Sequence, residues 1–167
     1  SVISADPCYM SLINVAIAIN ANSHMVKLTP EYEHDLEAME SKINSETKLI
    51  YITNPNNPTG TITDRKKLYA FCDRVSKRVP VFIDEAYIEV SEGGLDNSMV
   101  KLVAQGKDVI ISRTFSKIYG MAGLRLGYIV AAEKRLEEIR SITRGGMGIT
   151  GPSINAAIKS LDDYEFI

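Results

Sequence analysis

The sequence lacks most of what would mark a metal protein, a secreted disulfide scaffold or a membrane protein. It has two cysteines, Cys8 and Cys72, with neither metal-site spacing nor a disulfide pattern. It has two histidines, His24 and His34, and neither belongs to a ligand or base pattern. No apolar run approaches the ~20 residues that a bilayer-spanning helix needs. Charge of neither sign is in excess. The 19 Lys and Arg against 21 Asp and Glu leave −2 at pH 7, which gives no electrostatic reason to bind nucleic acid or an anionic membrane. There is no internal repeat and no low-complexity tract. No stretch has the form of a signal peptide, and because residue 1 is Ser rather than Met the true start is expected upstream. These exclusions leave a cytoplasmic protein as the expectation.

What is present suits one folded domain. The 167 residues are long enough for a sizeable core, and 45% hydrophobic with 24% charged residues is ordinary for a globular chain. Short apolar runs read as buried strands: Val2-Ile3, His24 to Leu28, Leu49 to Ile52, Val81 to Ile83, Val109 to Ile111 and Leu126 to Val130. Helical patterns lie between them. Met10 to Ile19 is one. A second is predicted to start at Thr29 as N-cap with Pro30 in its first turn, Glu31 and Glu33 at its positive end, and Leu36, Met39 and Ile43 on its apolar face. A third is predicted to start at Thr63, with Leu68, Phe71, Cys72 and Val75 on one face, which makes Cys72 a core residue. A short helix is expected near Met99 to Ala104, then one over Glu133 to Ile142. Arg144 to Gly151 reads as a flexible loop, and Ser153 to Leu161 as the start of a last helix.

Strands alternating with amphipathic helices predict a three-layer α/β/α domain with a mostly parallel sheet covered on both faces. Ligands of such sheets bind beyond the carboxyl ends of the strands. Three polar clusters stand at such ends: residues 54–60, 84–87 and 112–117. They are expected to converge on one crevice.

Each cluster has a plain reading and a chemical one. Asn54-Pro55-Asn56-Asn57-Pro58-Thr59-Gly60 is either a rigid turn or a ligand loop. Asp84 ends an apolar strand, where an unpaired carboxylate is costly to bury. It is either an N-cap, a rim ion pair, or the partner of a ligand cation. Lys117 follows Thr114 and Ser116 and precedes Gly120, Gly123 and Arg125. A lone loop lysine is normally solvated. Among hydroxyls, glycines and an arginine able to hold a phosphate, it suits covalent linkage to a phosphorylated aldehyde.

Ser112-x-x-x-Ser116-Lys117, with Arg125 eight residues after the lysine, resembles the Schiff-base segment of the class I/II aminotransferases, which use pyridoxal 5′-phosphate. The Asn-Pro-Asn-Asn-Pro-Thr-Gly string and Asp84-Glu85-Ala86-Tyr87 are similar to two further motifs of that family, in the family's order. Tyr9, after Pro7-Cys8, is similar to its Pro-x-Tyr motif, with a core or rim tyrosine as the other reading.

The resemblance implies a role for each matching residue. Lys117 would link the cofactor and act as the general base. Asp84 would face the ring nitrogen, and Asn57 and Tyr87 the ring oxygen. Tyr9 would stack on the ring. Ser116 and Arg125, with Ser112 or Thr114, would hold the phosphate. Glu85 is read as structural.

The resemblance also implies that the strand Leu126 to Val130 runs antiparallel. The short link from Lys117 to Arg125 fits that, since a parallel return needs a crossover of a dozen or more residues. Within the family, the wording is most similar to the branch acting on histidinol phosphate and glutamate. Threonine-phosphate decarboxylases, which are lyases with the same cofactor, are written with similar motifs.

The implied partners are a small-molecule amino donor and a keto acid, with a homodimer for the full-length protein. Residues 1–167 are read as the central part of the large cofactor-binding domain. The upstream phosphate loop and the C-terminal small domain cannot be placed in this chain. Two rival readings are a regulatory module that only senses the cofactor and an inert folded fragment.

Overall fold

The computed structural model describes residues 1–143, 148–163 and 165–166. Six strands form one sheet: β1 (Val2–Asp6), β2 (Ser23–Lys27), β3 (Leu49–Thr53), β4 (Val81–Asp84), β5 (Val109–Thr114) and β6 (Gly127–Val130). Their order across the sheet is β2-β1-β3-β4-β5-β6. The first five are mutually parallel, and β6 pairs antiparallel with β5, as the short link before it requires.

The helices are α1 (Ser11–Ala18), α2 (Leu36–Ser41), α3 (Arg65–Val75), α4 (Val100–Ala104), α5 (Glu133–Ile142) and α6 (Gly151–Ser160). Period-two alternation sends Ile50, Ile52, Ile83 and Ile111 to one face of the sheet, against Met39 of α2, Leu68, Phe71 and Val75 of α3, and Leu102 of α4. Cys72 lies in that core, where burial pushes its thiol well above the ordinary range. Tyr51 and Phe82 point to the other face, against Ile13 and Ala16 of α1. Helices therefore cover both faces, and the architecture has three layers.

Two helix starts differ from the sequence reading. Thr29 and Pro30 do not begin α2. Thr29 instead closes a turn: its carbonyl accepts from Tyr32 N (2.9 Å), its Oγ1 accepts from Glu33 N (3.2 Å), and its own N–H donates to Glu33 O (2.9 Å). Tyr32 sits at φ +62°, a left-handed backbone that no helix can continue through. The cap is Asp35, whose Oδ1 accepts from Ala38 N at 2.9 Å, and Glu37 rather than Glu31 or Glu33 lies in the first turn.

Likewise α3 is capped by Asp64, through Lys67 N at 2.9 Å, and not by Thr63. Thr63 is turned inward to His34, with Oγ1 2.8 Å from Nδ1. The last helix begins at Gly151, capped by Thr150, two residues before the expected Ser153. The expected loop from Arg144 to Gly151 has residues 144–147 outside the described residues.

β6 reaches its place through a close approach. Gly127 pairs with Thr114, and a Cβ on it would lie 2.7 Å from the Arg113 carbonyl oxygen, so only glycine fits there. No helix among the described residues is long and apolar enough to cross a membrane. No cluster of three or more His, Cys, Asp or Glu among them is placed to hold a metal ion.

Candidate active site

The cleft forms where β3, β4 and β5 end side by side. The ladder is in register up to the rungs Thr53↔Asp84 and Asp84↔Ser112, so the segments that follow leave the sheet from one edge.

After β3, the asparagines divide their tasks. Asn54 Oδ1 accepts from Thr63 N (2.9 Å). Asn56 accepts from Thr53 Oγ1 (2.7 Å) and donates to Pro7 O (3.2 Å) and Thr59 Oγ1 (2.9 Å). Both are only 2% exposed, and these bonds hold the loop in shape. The side chain of Asn57 makes no such bond among the described residues and lines the cleft.

After β4, Asp84 Oδ1 accepts from Ala86 N at 3.1 Å, an Asx-type bond that starts the turn to Tyr87. Burial raises the Asp84 carboxyl above its usual range. The Ala86 amide, the Ser112 and Tyr51 hydroxyls and the charge of Lys117 pull the other way without cancelling it. Asp84 makes no ion pair with any described residue, so its carboxylate is a partly desolvated charge that the Lys117 amine meets only at longer range.

After β5, the chain turns over an aromatic plug. Phe115 is buried with Leu126 and Ala157, its ring 5.0 Å from that of Tyr119 and 5.7 Å from that of Tyr128. Thr114 Oγ1 accepts from Ser116 N (3.0 Å) and donates to Leu126 O (3.4 Å). With Phe115 anchored inward, Ser116 and Lys117 reach the cleft. Lys117 Nζ lies 4.8 Å from the centre of the Tyr87 ring, a cation–π contact across the opening. Arg125, at φ +51°, is exposed and donates one bond, Nη1 to Ala122 O at 2.9 Å, which leaves its other N–H groups free.

Tyr9, Asn57, Asp84, Tyr87, Thr114, Ser116, Lys117 and Arg125 all line this one cleft, whose volume is about 390 Å³. Tyr9 stands at its mouth, 49% exposed. Ser112 lines it too, beside Asp84. The polar groups fall into an amine, a carboxylate without an ion-pair partner, an amide and a phenol (Asn57 and Tyr87), and a hydroxyl–guanidinium pair.

The sequence model described as "Aminotransferase class I and II" matches residues 1–167. The chain belongs to the class I and II aminotransferases. Among its curated relatives are histidinol-phosphate aminotransferases of Bacillus subtilis strain 168, 38% identical over 165 residues, 99% of this chain and 46% of the relative, and of Caldicellulosiruptor saccharolyticus, 40% identical over 136 residues, 81% of this chain and 38% of the relative. A solved structure of a putative histidinol-phosphate aminotransferase from Erwinia carotovora atroseptica superposes with a TM-score of 0.90 at 27% identity, over 99% of this chain and 48% of that one. Another, a histidinol-phosphate aminotransferase from Sinorhizobium meliloti in complex with pyridoxal 5′-phosphate, gives 0.89 at 26% identity, over 99% and 44%. The chain thus spans under half the length of the curated relatives it matches.

Two features of this aminotransferase chain lay outside the sequence reading of the site. Tyr51 stands on the same sheet face as Asp84, one strand over, and its hydroxyl bears on the carboxylate. Glu85, read as structural, is 1% exposed and paired with Arg113, an arginine to which the reading gave no role. The signal for both was strand alternation combined with strand register.

Proposed function

We propose that this chain carries the cofactor-binding part of the large domain of an aminotransferase that uses pyridoxal 5′-phosphate. The substrates proposed are an amino acid or amino-alcohol phosphate of the histidinol phosphate type, with a keto acid as partner. One observation carries the reading. A lysine amine, a carboxylate without an ion-pair partner, and a hydroxyl–guanidinium pair face one cleft at the carboxyl edge of a parallel sheet.

The donor set fits that cofactor group by group. Asp84, burdened by burial and lacking an ion-pair partner, gains one from a protonated pyridine nitrogen, since an opposite charge within ~4–6 Å favours both charged forms. Asn57 and Tyr87 offer side-chain donors to the ring oxygen. Ser116 and Arg125 supply a hydroxyl and unused N–H groups for the phosphate. Tyr9 offers a ring at the mouth for stacking. When bound, pyridoxal phosphate supplies an electron sink for charge developing at the substrate's α-carbon.

The chain's own groups divide the remaining work. Lys117 would hold the cofactor by its aldehyde, with water leaving as the link forms, and would be set free when a substrate amine takes its place. Free Lys117 is then the base that carries the proton from the substrate α-carbon. Tyr87 steadies that amine before and after, through the ring contact at 4.8 Å. Asp84 would favour a protonated ring nitrogen. The histidinol phosphate relatives support the substrate class, and no observation in the cleft favours a decarboxylase or a sensor module. A homodimer and a cytoplasmic location are proposed with it, on the strength of the family and the composition.

Borohydride reduction with pyridoxal phosphate, followed by peptide mapping, tests the reading. Label is expected on Lys117 and is expected to vanish in Lys117→Ala with the fold intact. Label on Lys107 or Lys134 instead would overturn it.

A further inference from the structure

Asp84 and Glu85 are chain neighbours that point to opposite faces of the sheet, as do Ser112 and Arg113. The even-numbered pair faces the cleft. The odd-numbered pair is joined beneath it, Glu85 against Met99 and the larger core, while Arg113 also forms part of the cleft wall. The backbone ladder between β4 and β5 stops at this level. Its last bond is Glu85 N to Ser112 O at 2.9 Å, after which one chain turns off to Tyr87 and the other runs on to Lys117. What joins the two beyond that point is side-chain chemistry. Arg113 Nε and Nη2 donate to Glu85 Oε2 at 3.1 and 2.9 Å, and Nη2 also donates to Ser98 Oγ at 2.9 Å. Ser98 Oγ donates to the Glu85 carboxylate (3.0 and 2.9 Å), and Met99 N donates to Glu85 Oε1 at 2.9 Å. One carboxylate thus ties the turn after β4, the segment entering α4, and the end of β5.

We infer that Glu85 and Arg113 are positioning residues for the cleft: a brace on the far face that fixes Asp84 and Tyr87 relative to Ser112, Thr114 and Lys117. A rigid fork is suited to this. Two guanidinium N–H groups converge on Oε2 while Ser98 and Met99 hold Oε1, so the carboxylate is fixed in angle as well as distance, where a single bond would set only the distance. The pair's effect passes through the one peptide that separates Glu85 from Asp84, and those that flank Arg113.

The inference rests on the proposed function for its meaning, and two readouts keep them apart. The first uses no cofactor. In Glu85→Gln, amide hydrogen exchange at Ala86, whose N–H is held by Asp84, is expected to rise by roughly tenfold or more, while Ile50 and Ile52 stay protected. Unchanged exchange at Ala86 overturns the brace, whatever the chain binds.

The second uses the double variant Glu85→Met/Arg113→Met, because replacing a buried ion pair with apolar side chains is often neutral for stability. With wild-type thermal stability restored, borohydride trapping of pyridoxal phosphate at Lys117 is expected to slow by roughly tenfold, and Arg113→Lys to fall between. Trapping at the wild-type rate in the double variant would make the pair merely structural and overturn the inference. Should the double variant not fold, Glu85→Gln is read in the same way. Failure of the wild-type chain to trap the cofactor at all contradicts the proposed function and leaves the exchange result to decide the brace.

Discussion

Asp84 and Glu85 are adjacent acids with opposite surroundings. Glu85 is 1% exposed, yet every demand of its charge is met by Arg113, Ser98 and the Met99 amide. Asp84 is less buried and less well served: one backbone amide, two hydroxyls nearby, no ion pair among the described residues, and a carboxyl raised by burial. A satisfied buried carboxylate belongs to the fold. An unsatisfied one marks where the fold has left room for a partner that is not part of the chain. The same contrast separates Asn54 and Asn56, whose bonds hold their own loop, from Asn57, which faces the cleft.

The contrast breaks most heavily on the Glu85 side. Arg113→Met strands a buried carboxylate, and its removal is expected to lower unfolding free energy by about 3–5 kcal/mol, read by denaturant titration. A loss under about 1 kcal/mol would mean that Glu85 is not relying on its arginine. Asp84→Asn should behave differently, sparing the fold and slowing the chemistry. With the ring nitrogen no longer held protonated, α-proton removal in the loaded enzyme is expected to lose about 3–4 kcal/mol of transition-state stabilisation, roughly a hundred- to a thousandfold in rate. Single-turnover kinetics with an α-deuterated substrate show whether proton transfer is the slowed step. Wild-type turnover would make Asp84 a second structural acid.

His34 sharpens the comparison from a third direction. Its Nδ1 meets Thr63 Oγ1, its Nε2 is buried without a partner among the described residues, and burial lowers its pKa to about 4. A base depressed in the folded state keeps its stability above the ordinary value near 6.5 and loses it as pH falls toward 4, because the unfolded chain takes up the proton first. The shift corresponds to about 3 kcal/mol across that window. Thermal melts from pH 7 to 4 should show this slope, and His34→Leu should flatten it.

Much of this was legible along the chain. The apolar runs marked the six strands, most strongly the central β1, β3 and β5, and more weakly the half-buried or exposed edge strands β2 and β6. The polar clusters marked the strand ends where a parallel sheet binds its ligand. The helix starts were less legible. Thr29 and Thr63 have the chemistry of caps, but Asp35 and Asp64 have it as well, and only the left-handed turn at Tyr32 and the inward contact with His34 decide between them. The Glu85–Arg113 pair spans 28 residues, the same offset as the rung Asp84↔Ser112. Aligning Val81 to Ile83 with Val109 to Ile111 would have placed the pair on the next rung. What alternation cannot give is which of the two faces carries the packed core and which the cleft.

The most direct test is the melting temperature of Asp84→Asn with and without pyridoxal phosphate. An acid raised in the folded state contributes stability only at low pH and loses it as pH rises through its folded value. At neutral pH, therefore, Asp84 is a burden that Asn removes. Without cofactor, the variant is expected to melt above the wild type. With saturating cofactor the order should reverse, because only the carboxylate gains from a cationic ring nitrogen. A variant that melts below the wild type in both conditions would contradict a carboxylate left waiting for a cation.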